Sequence, residues 1–153
     1  MVRAFAECLL VLALLVIGQG RTSAQDRVYV VVRDPVTAAS VATSVLQAGH
    51  VELEALVAAR PGTVVATGSP AGGLPPSYAS LRAYVVQPRI LSVSASATSA
   101  RIGIEIDVTD LATGRTIVSA RNTTDGPVGM PVGELFNRAL RSLWGSIAPQ
   151  LPS

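Results

Sequence analysis

Within the segment 100–121, residues 102–109 alternate between apolar and other side chains with a strict period of two. The apolar positions are Ile102, Ile104, Ile106 and Val108. This spacing places all four branched side chains on one face of a β-strand and the residues between them on the other. Asp110 and Gly114 supply turn chemistry, and a second β-prone run follows at 116–120. The segment therefore predicts a β-hairpin with one buried face, the centre of a small sheet.

The first part of the chain predicts a strand followed by helices. The run 26–33, DRVYVVVR, is apolar on both faces, which is typical of a strand inside a sheet. Asp34 and Pro35 then predict the N-cap and first turn of a helix that stops at Gly49. The run 51–60 fits both the helical and the strand period, and its Ala, Leu and Glu content favours a short second helix. A short strand is expected at 63–67.

The second part predicts a meander and a covering helix. We expect a strand at 81–86 that is interrupted at Gln87-Pro88, and three antiparallel strands over 89–121. In the first of these, Leu91 and Val93 are predicted to share the buried face. A broad apolar stripe at helical spacing predicts a helix over 131–148 that covers the meander. The stripe consists of Val132, Leu135, Phe136, Ala139, Leu140, Leu143, Trp144 and Ile147.

Together these elements predict an α/β (α+β) fold. Its sheet is mixed but mainly antiparallel, with a C-terminal meander and with helices packed on one face. The chain of 153 residues is long enough for one domain, which we place at 25–153. Within it, the segment 68–78 is rich in Gly and Pro and is expected to be an exposed loop.

The first 24 residues have the pattern of a signal peptide. An uncharged apolar run at 8–17 is too short to span a bilayer, and small residues precede a cleavage site after Ala24. Cleavage after Gly20 and retention as an uncleaved anchor are the alternatives. Cys8 lies at the start of the apolar run and not after its end, which disfavours lipidation. We therefore expect a periplasmic or secreted protein with no stable membrane span after signal cleavage.

The net charge and the residues that could take part in catalysis or metal binding narrow the range of possible functions further. The mature part is close to neutral and its arginines are scattered singly, so nucleic-acid binding is not expected. His50 is the only histidine and lies between the two predicted helices, where we expect a surface loop. Glu52 and Glu54 fall on different sides of a helix, unlike a paired acid and base. We expect no cofactor, no metal site and no enzymatic activity.

The candidate interaction surface lies on the hairpin. Arg101, Glu105 and Asp107 fall on the polar face of the predicted strand and could contact a basic partner or a cation. A plain solvent-exposed sheet face is the alternative explanation. Trp144, the only tryptophan, is on the apolar helix stripe, where it could pack in the core or serve as an interface anchor.

Residues 101–148 resemble a group of small bacterial envelope proteins. The resemblance lies in Val-Thr-Asp110, Ala-Thr-Gly114-Arg115, the following Thr-Ile-Val-Ser and the amphipathic C-terminal helix. The group is that of the curli-secretion and penicillin-binding-protein-activator type lipoproteins, from which this chain departs in lacking a lipidation Cys. The resemblance implies an α/β layout, no catalytic residues, and binding to another envelope protein.

The expected function is that of an exported, non-catalytic binding or scaffolding domain of the bacterial cell envelope. The alternative is a periplasmic small-ligand carrier with a cleft between helix and sheet. The sequence leaves the oligomeric state open.

Overall fold

A computed structural model describes residues 27–66 and 82–152. The predicted signal peptide at 1–24 and the predicted loop at 68–78 lie outside the described residues. The strands are β1 (Val28–Val32), β2 (Val36–Thr37), β3 (Thr63–Val65), β4 (Arg82–Ala95), β5 (Ser99–Asp110) and β6 (Thr116–Pro127). The helices are α1 (Thr43–Ala58) and α2 (Val132–Ile147), and a single 3₁₀ turn follows at Ala148–Gln150.

The strands form one mixed sheet in the order β3-β1-β4-β5-β6, with β2 also paired to β4. β1 is parallel to both of its neighbours, β3 and β4. β4, β5 and β6 form an antiparallel meander. The apolar run at 26–33 is therefore an inner strand, as its two apolar faces predict. The three-stranded meander is also confirmed.

Both helices pack on the same face of the sheet, over a single apolar core. All four branched residues of the β5 pattern are fully buried there. They contact the buried stripe of α2, in which Phe136 and Leu140 are 0% exposed, and Leu53 of α1. Burial of this stripe against the sheet is what stabilises an amphipathic helix in a protein. The predicted fold class is thus confirmed.

The region 34–60 differs from the prediction. Asp34 and Pro35 do not begin a helix, because the chain continues along β4, where Val36 pairs with Arg89. The helix begins at Thr43 and runs without a break to Ala58, so the two predicted helices are one. Gly49 lies in its middle and is buried rather than ending it. The strand pairing outweighs the local capping signal, and a packing contact of Gly49, described below, replaces its predicted role.

β4 is also longer than predicted, since it passes through Gln87-Pro88 without interruption. Proline lacks an N–H and is tolerated in a sheet only where no partner needs that donor. The Val86 carbonyl accepts from Arg33 and the Ile90 carbonyl from Ala38, so the intervening Pro88 faces the gap between β1 and β2. Its missing N–H therefore costs no sheet hydrogen bond.

A β-bulge changes which residues of β4 point inward. The register shifts between Ile90, which pairs with Ile104, and Ser92, which pairs with Gly103. The extra residue, Leu91, is only partly buried, whereas Ile90 and Val93 face the core. The prediction that Leu91 and Val93 share one buried face was therefore wrong at Leu91, because a bulge interrupts the period of two.

The turn between β5 and β6 uses the predicted Asp and Gly. The backbone N–H of Thr113 donates to Asp110 Oδ1 at 2.8 Å, and the Thr113 hydroxyl donates to the same oxygen at 3.0 Å. Gly114 has a φ of 68°, in the left-handed region that glycine adopts without strain. These hydrogen bonds favour the charged carboxylate and hold the pKa of Asp110 below its ordinary value of 3.8, the backbone bond from Thr113 contributing most.

The Asp110→Asn variant is expected to lose less stability in acid than the wild-type protein. A carboxylate whose pKa is lower in the folded state stabilises the fold fully above its unfolded-state pKa, and this contribution is lost as the pH falls through the folded pKa. Urea unfolding at pH 6 and pH 2 measures the difference. Equal losses in the two proteins would contradict the assigned role of the turn.

Candidate functional site

The face of the meander opposite the helices carries a set of charged side chains. Arg101, Glu105 and Asp107 lie on it together, as the alternation of β5 predicts. Gly103 lies between them, and a Cβ there would come within 2.8 Å of the Ser92 hydroxyl on β4. The strands thus pack closely at Gly103.

Each of the three predicted residues is bonded to a charged partner on a neighbouring strand. Arg121 Nη2 lies 2.7 Å from Glu105 Oε1, and Arg101 Nε lies 2.6 Å from Asp125 Oδ1. On the other side, Arg89 Nε lies 3.3 Å from Asp107 Oδ2, and the Asp107 carboxylate also accepts through Oδ1 from the Ser119 hydroxyl. We call the set the charged face; it consists of Arg89, Arg101, Glu105, Asp107, Arg121 and Asp125.

Three members of the charged face, Arg89, Arg121 and Asp125, were missed from the sequence. Their positions depend on strand register, in which Glu105 is opposite Arg89 on one side and Arg121 on the other. The period of a single strand does not fix its register against a neighbour. The sequence does indicate that Arg121 and Asp125 share a face, because they are four residues apart in the strand 116–127.

The charged face is layered. The Glu105 and Asp107 side chains are only 16% and 21% exposed. Those of Arg89 and Arg121, by contrast, are 49% and 68% exposed. The guanidinium groups therefore form the outer layer over half-buried carboxylates. At Arg101, the hydrogen bond to Asp125 and the opposite charge raise the guanidinium pKa, so it stays protonated.

A groove of about 290 Å³ adjoins the charged face. Its floor includes Val85, a buried residue, and its border is formed by the turn at 110–114. Arg89 and Asp107 belong to both the groove and the charged face. The complete lining is Arg33, Val85, Gln87, Arg89, Asp107, Thr109, Asp110, Leu111, Gly114 and Thr116.

Trp144 does not lie with the other candidate residues. Its side chain is 5% exposed within the core, and its indole Nε1–H donates to the backbone carbonyl of Leu56 in α1 at 3.2 Å. It therefore links the two helices, in keeping with the first of its two expected roles, which is packing in the core.

Two other polar residues considered from the sequence, His50 and Glu52, lie in α1. His50 is a helical residue, contrary to the predicted surface loop, and its side chain lies 3.3 Å from both Asp34 and Glu54. Glu52 pairs with Arg141 of α2 at 2.6 Å and thereby raises the pKa of that arginine. Across 27–66 and 82–152, no group of three or more His, Cys, Asp or Glu residues is arranged to hold a metal ion.

The space between helices and sheet is filled by the core. The inward side chains of α1 and α2 belong to one core with those of the strands; in α2 they are nearly all buried, whereas in α1 Leu53 and Val57 are buried and Val45, Leu46 and Leu56 are partly buried. The groove described above lies on the opposite face of the sheet. The groove is therefore not the cleft between helix and sheet that the small-ligand alternative requires.

Comparison with known proteins identifies the fold but not a family. No family model matches the chain, and no curated protein matches it. Within the described ranges, no helix has the length and hydropathy to cross a membrane.

Several solved bacterial structures are similar. The hypothetical protein CT253 from Chlamydia trachomatis matches with a TM-score of 0.61 and 12% identity, over 81% of this chain and 98% of that one. A putative neuraminyllactose-binding hemagglutinin homolog from Helicobacter pylori matches with a TM-score of 0.55 and 11% identity, over 89% of each chain. A PelC dodecamer from Paraburkholderia phytofirmans matches with a TM-score of 0.52 and 14% identity, over 84% and 88%. Bacterial lipoproteins are also among the similar structures. The chain thus has a fold that recurs in solved structures of bacterial proteins.

Proposed function

We propose that this protein is an exported, non-catalytic binding domain of the bacterial cell envelope. Its partner would be another envelope protein, and the contact surface would be the charged face with the adjoining groove. The export pattern at 1–24 and the resemblance of residues 101–148 to envelope proteins support the compartment. The recurrence of this fold among bacterial lipoproteins is consistent with it.

The layering of the charged face is the observation that carries the proposal. Arg89 and Arg121 project outward, while Asp107 and Glu105 beneath them fix the position of their guanidinium groups. A fixed arginine loses less conformational entropy when a partner binds, and its planar donors suit carboxylates and backbone carbonyls. Arginine is also enriched among the residues that dominate protein–protein binding. The preferred partner surface would therefore be rich in hydrogen-bond acceptors.

The groove adds a shape-specific element to this surface. Its floor is apolar at Val85, and its border carries Arg89 and Asp107. Apolar floors with polar borders are typical of sites that receive one side chain of a partner. The geometry thus fits a protein ligand that spans the charged face and inserts a residue into the groove.

The described polar residues favour binding over catalysis. His50 has Asp34 and Glu54 as its charged neighbours, and Glu105 and Asp107 each neutralise an arginine. A general acid or base needs a group that is free to exchange a proton with a substrate. These carboxylates serve instead to hold the arginines, which is a structural role within a binding surface.

Arg89→Ala is expected to reduce partner capture by about tenfold or more, the effect of losing a dominant interface arginine. The measurement uses a photo-crosslinking residue in place of Leu111, at the groove, in the full chain expressed in its own bacterium. Mass spectrometry then identifies and quantifies the crosslinked envelope protein. Arg89 is half exposed on the sheet, so its removal should leave the unfolding midpoint nearly unchanged.

The matched control is Arg138→Ala. Arg138 is similarly exposed on α2, and its ion pair to Glu134 is long at 3.9 Å. It lies outside the charged face, so this variant should capture the partner as well as the wild type does. Equal yields from both variants, or no crosslinked protein at all, would count against the proposed contact surface.

A further inference from the structure

β6 forms a long open edge of the sheet. It spans Thr116–Pro127, and within the described residues it pairs only with β5. The backbone N–H of Asp110 donates to the backbone carbonyl of Arg115, next to β6. The backbone N–H of Leu111 points the other way and donates to the carbonyl of Ala83 in β4. Even-numbered residues of β5 therefore bond toward β6. With the register between the two strands, this places the N–H and C=O groups of the odd-numbered residues 119–125 at the free edge.

We propose that two copies of this chain pair through β6, antiparallel, about a two-fold axis at Thr123. In this arrangement Thr123 faces the partner's Thr123, and Arg121 faces the partner's Asp125. Every one of these residues directs its backbone donor and acceptor outward, so the pairing extends the sheet with regular hydrogen bonds. Such an isologous contact is the commonest form of soluble homo-oligomer.

The charge pattern selects this register. Within one copy, Arg121 is paired to Glu105 and Asp125 to Arg101. The proposed register joins these pairs into a row of alternating sign that runs from Glu105 through Arg121 to the partner's Asp125 and the partner's Arg101. Centring the axis on Arg121 or on Asp125 would instead place like charges opposite one another, which is destabilising in a sheet.

The ends of the strand add apolar contact. Val128, directly after β6, is 55% exposed, and Ile117 near its start is 41% exposed. In the proposed register Val128 comes opposite the partner's Val118, next to the partner's Ile117. Above the edge, α2 presents the small side chain of Ser142, which contacts Asn122. A small residue here permits close approach of the second copy.

Two charge reversals test the proposal. Arg121→Glu places two acids opposite each other in the dimer, and Asp125→Arg places two arginines opposite each other. The dimer dissociation constant of each variant alone should be at least about tenfold higher than that of the wild type. A 1:1 mixture should dimerise again, because in the mixed dimer the introduced glutamate faces the introduced arginine and the remaining Asp125 faces the remaining Arg121. Sedimentation equilibrium of the full chain measures all four samples, namely the wild type, each variant and the mixture.

The mixing experiment separates the interface from folding, since mixing cannot rescue a misfolded chain. Thr123→Pro adds an independent check: it removes an N–H at the free edge but none that bonds to β5, whereas Thr123→Ala keeps it. The first variant should be monomeric and the second dimeric. A monomeric wild type, a dimer that survives both single reversals, or a mixture that stays monomeric would overturn the proposal.

Discussion

Gly49→Ala is expected to destabilise the protein, although alanine is the better helix former. Gly49 lies inside α1, and a Cβ there would overlap the ring of Phe136, coming within 2.7 Å of Cδ1 and closer still to Cε1. Phe136 is 0% exposed in the core, so its ring cannot move without disturbing its neighbours. Overpacking of this kind costs about 1–3 kcal/mol, or more where the backbone must shift. The gain in helix propensity, about 1 kcal/mol, offsets only part of this.

The matched control is Gly145→Ala in α2. This helical glycine has nothing within 4 Å of its added Cβ, so the substitution should raise the free energy of unfolding by about 1 kcal/mol. Urea unfolding of both variants measures the two opposite signs. The double variant Gly49→Ala with Phe136→Leu should recover part of the loss, because the smaller side chain relieves the overlap. A stabilised Gly49→Ala variant would show that α1 and α2 are not packed at this point.

Ile104→Ala is expected to lower the free energy of unfolding by about 2–5 kcal/mol. Ile104 is fully buried in β5, the middle strand of the meander, and contacts the core beneath α2. Removing most of its side chain loses burial and leaves a cavity that the surrounding rigid strands cannot fill. Since small domains have a total stability of about 5–15 kcal/mol, the fraction unfolded should rise measurably at moderate temperature.

Ile117→Ala is the control for this second experiment. The same substitution on β6 removes a side chain that is 41% exposed, so its effect should be well below that of Ile104→Ala. Urea unfolding of the two variants measures the two losses in the free energy of unfolding. The comparison is direct when the free energy depends on urea concentration with the same slope in both. Similar losses at both positions would mean that the face assigned to the core does not carry the stability of the sheet.

The features predicted correctly from the sequence are those encoded by local periodicity. The alternation around Ile104 and the broad stripe of α2 each specify one buried face, whatever the rest of the chain does. Apart from the bulge at Leu91, the main errors in the bounds of elements concern glycine and proline, which by local rules indicate the ends of elements. Gly49 is instead required by the close approach of two helices, and Pro88 is tolerated because of a gap in the neighbouring strand. Both reasons are tertiary, so no local pattern contains them.

In the candidate site, too, some features could be predicted from the sequence and others could not. That Arg101, Glu105 and Asp107 share a face follows from the period of a strand, and the structure places them so. Their partners Arg89 and Arg121 depend on register, which a bulge in β4 and another near Ile117 help to set. The burial of the carboxylates below the arginines follows from that register. It is this layering, more than the charges themselves, that makes the surface a candidate for binding.

The position of β1 has a consequence for how the chain reaches its native state. Both strands that pair with β1 come later in the sequence, β3 at 63–65 and β4 at 82–95. A chain that emerges from its N-terminus first therefore presents the run VYVVV without a partner until β3 has been made, and with only that three-residue partner until β4 follows. A short, uncharged, β-branched run of this kind is a typical site of aggregation when left unpaired. A strand that is largely buried in the folded protein is thus a hazard before folding.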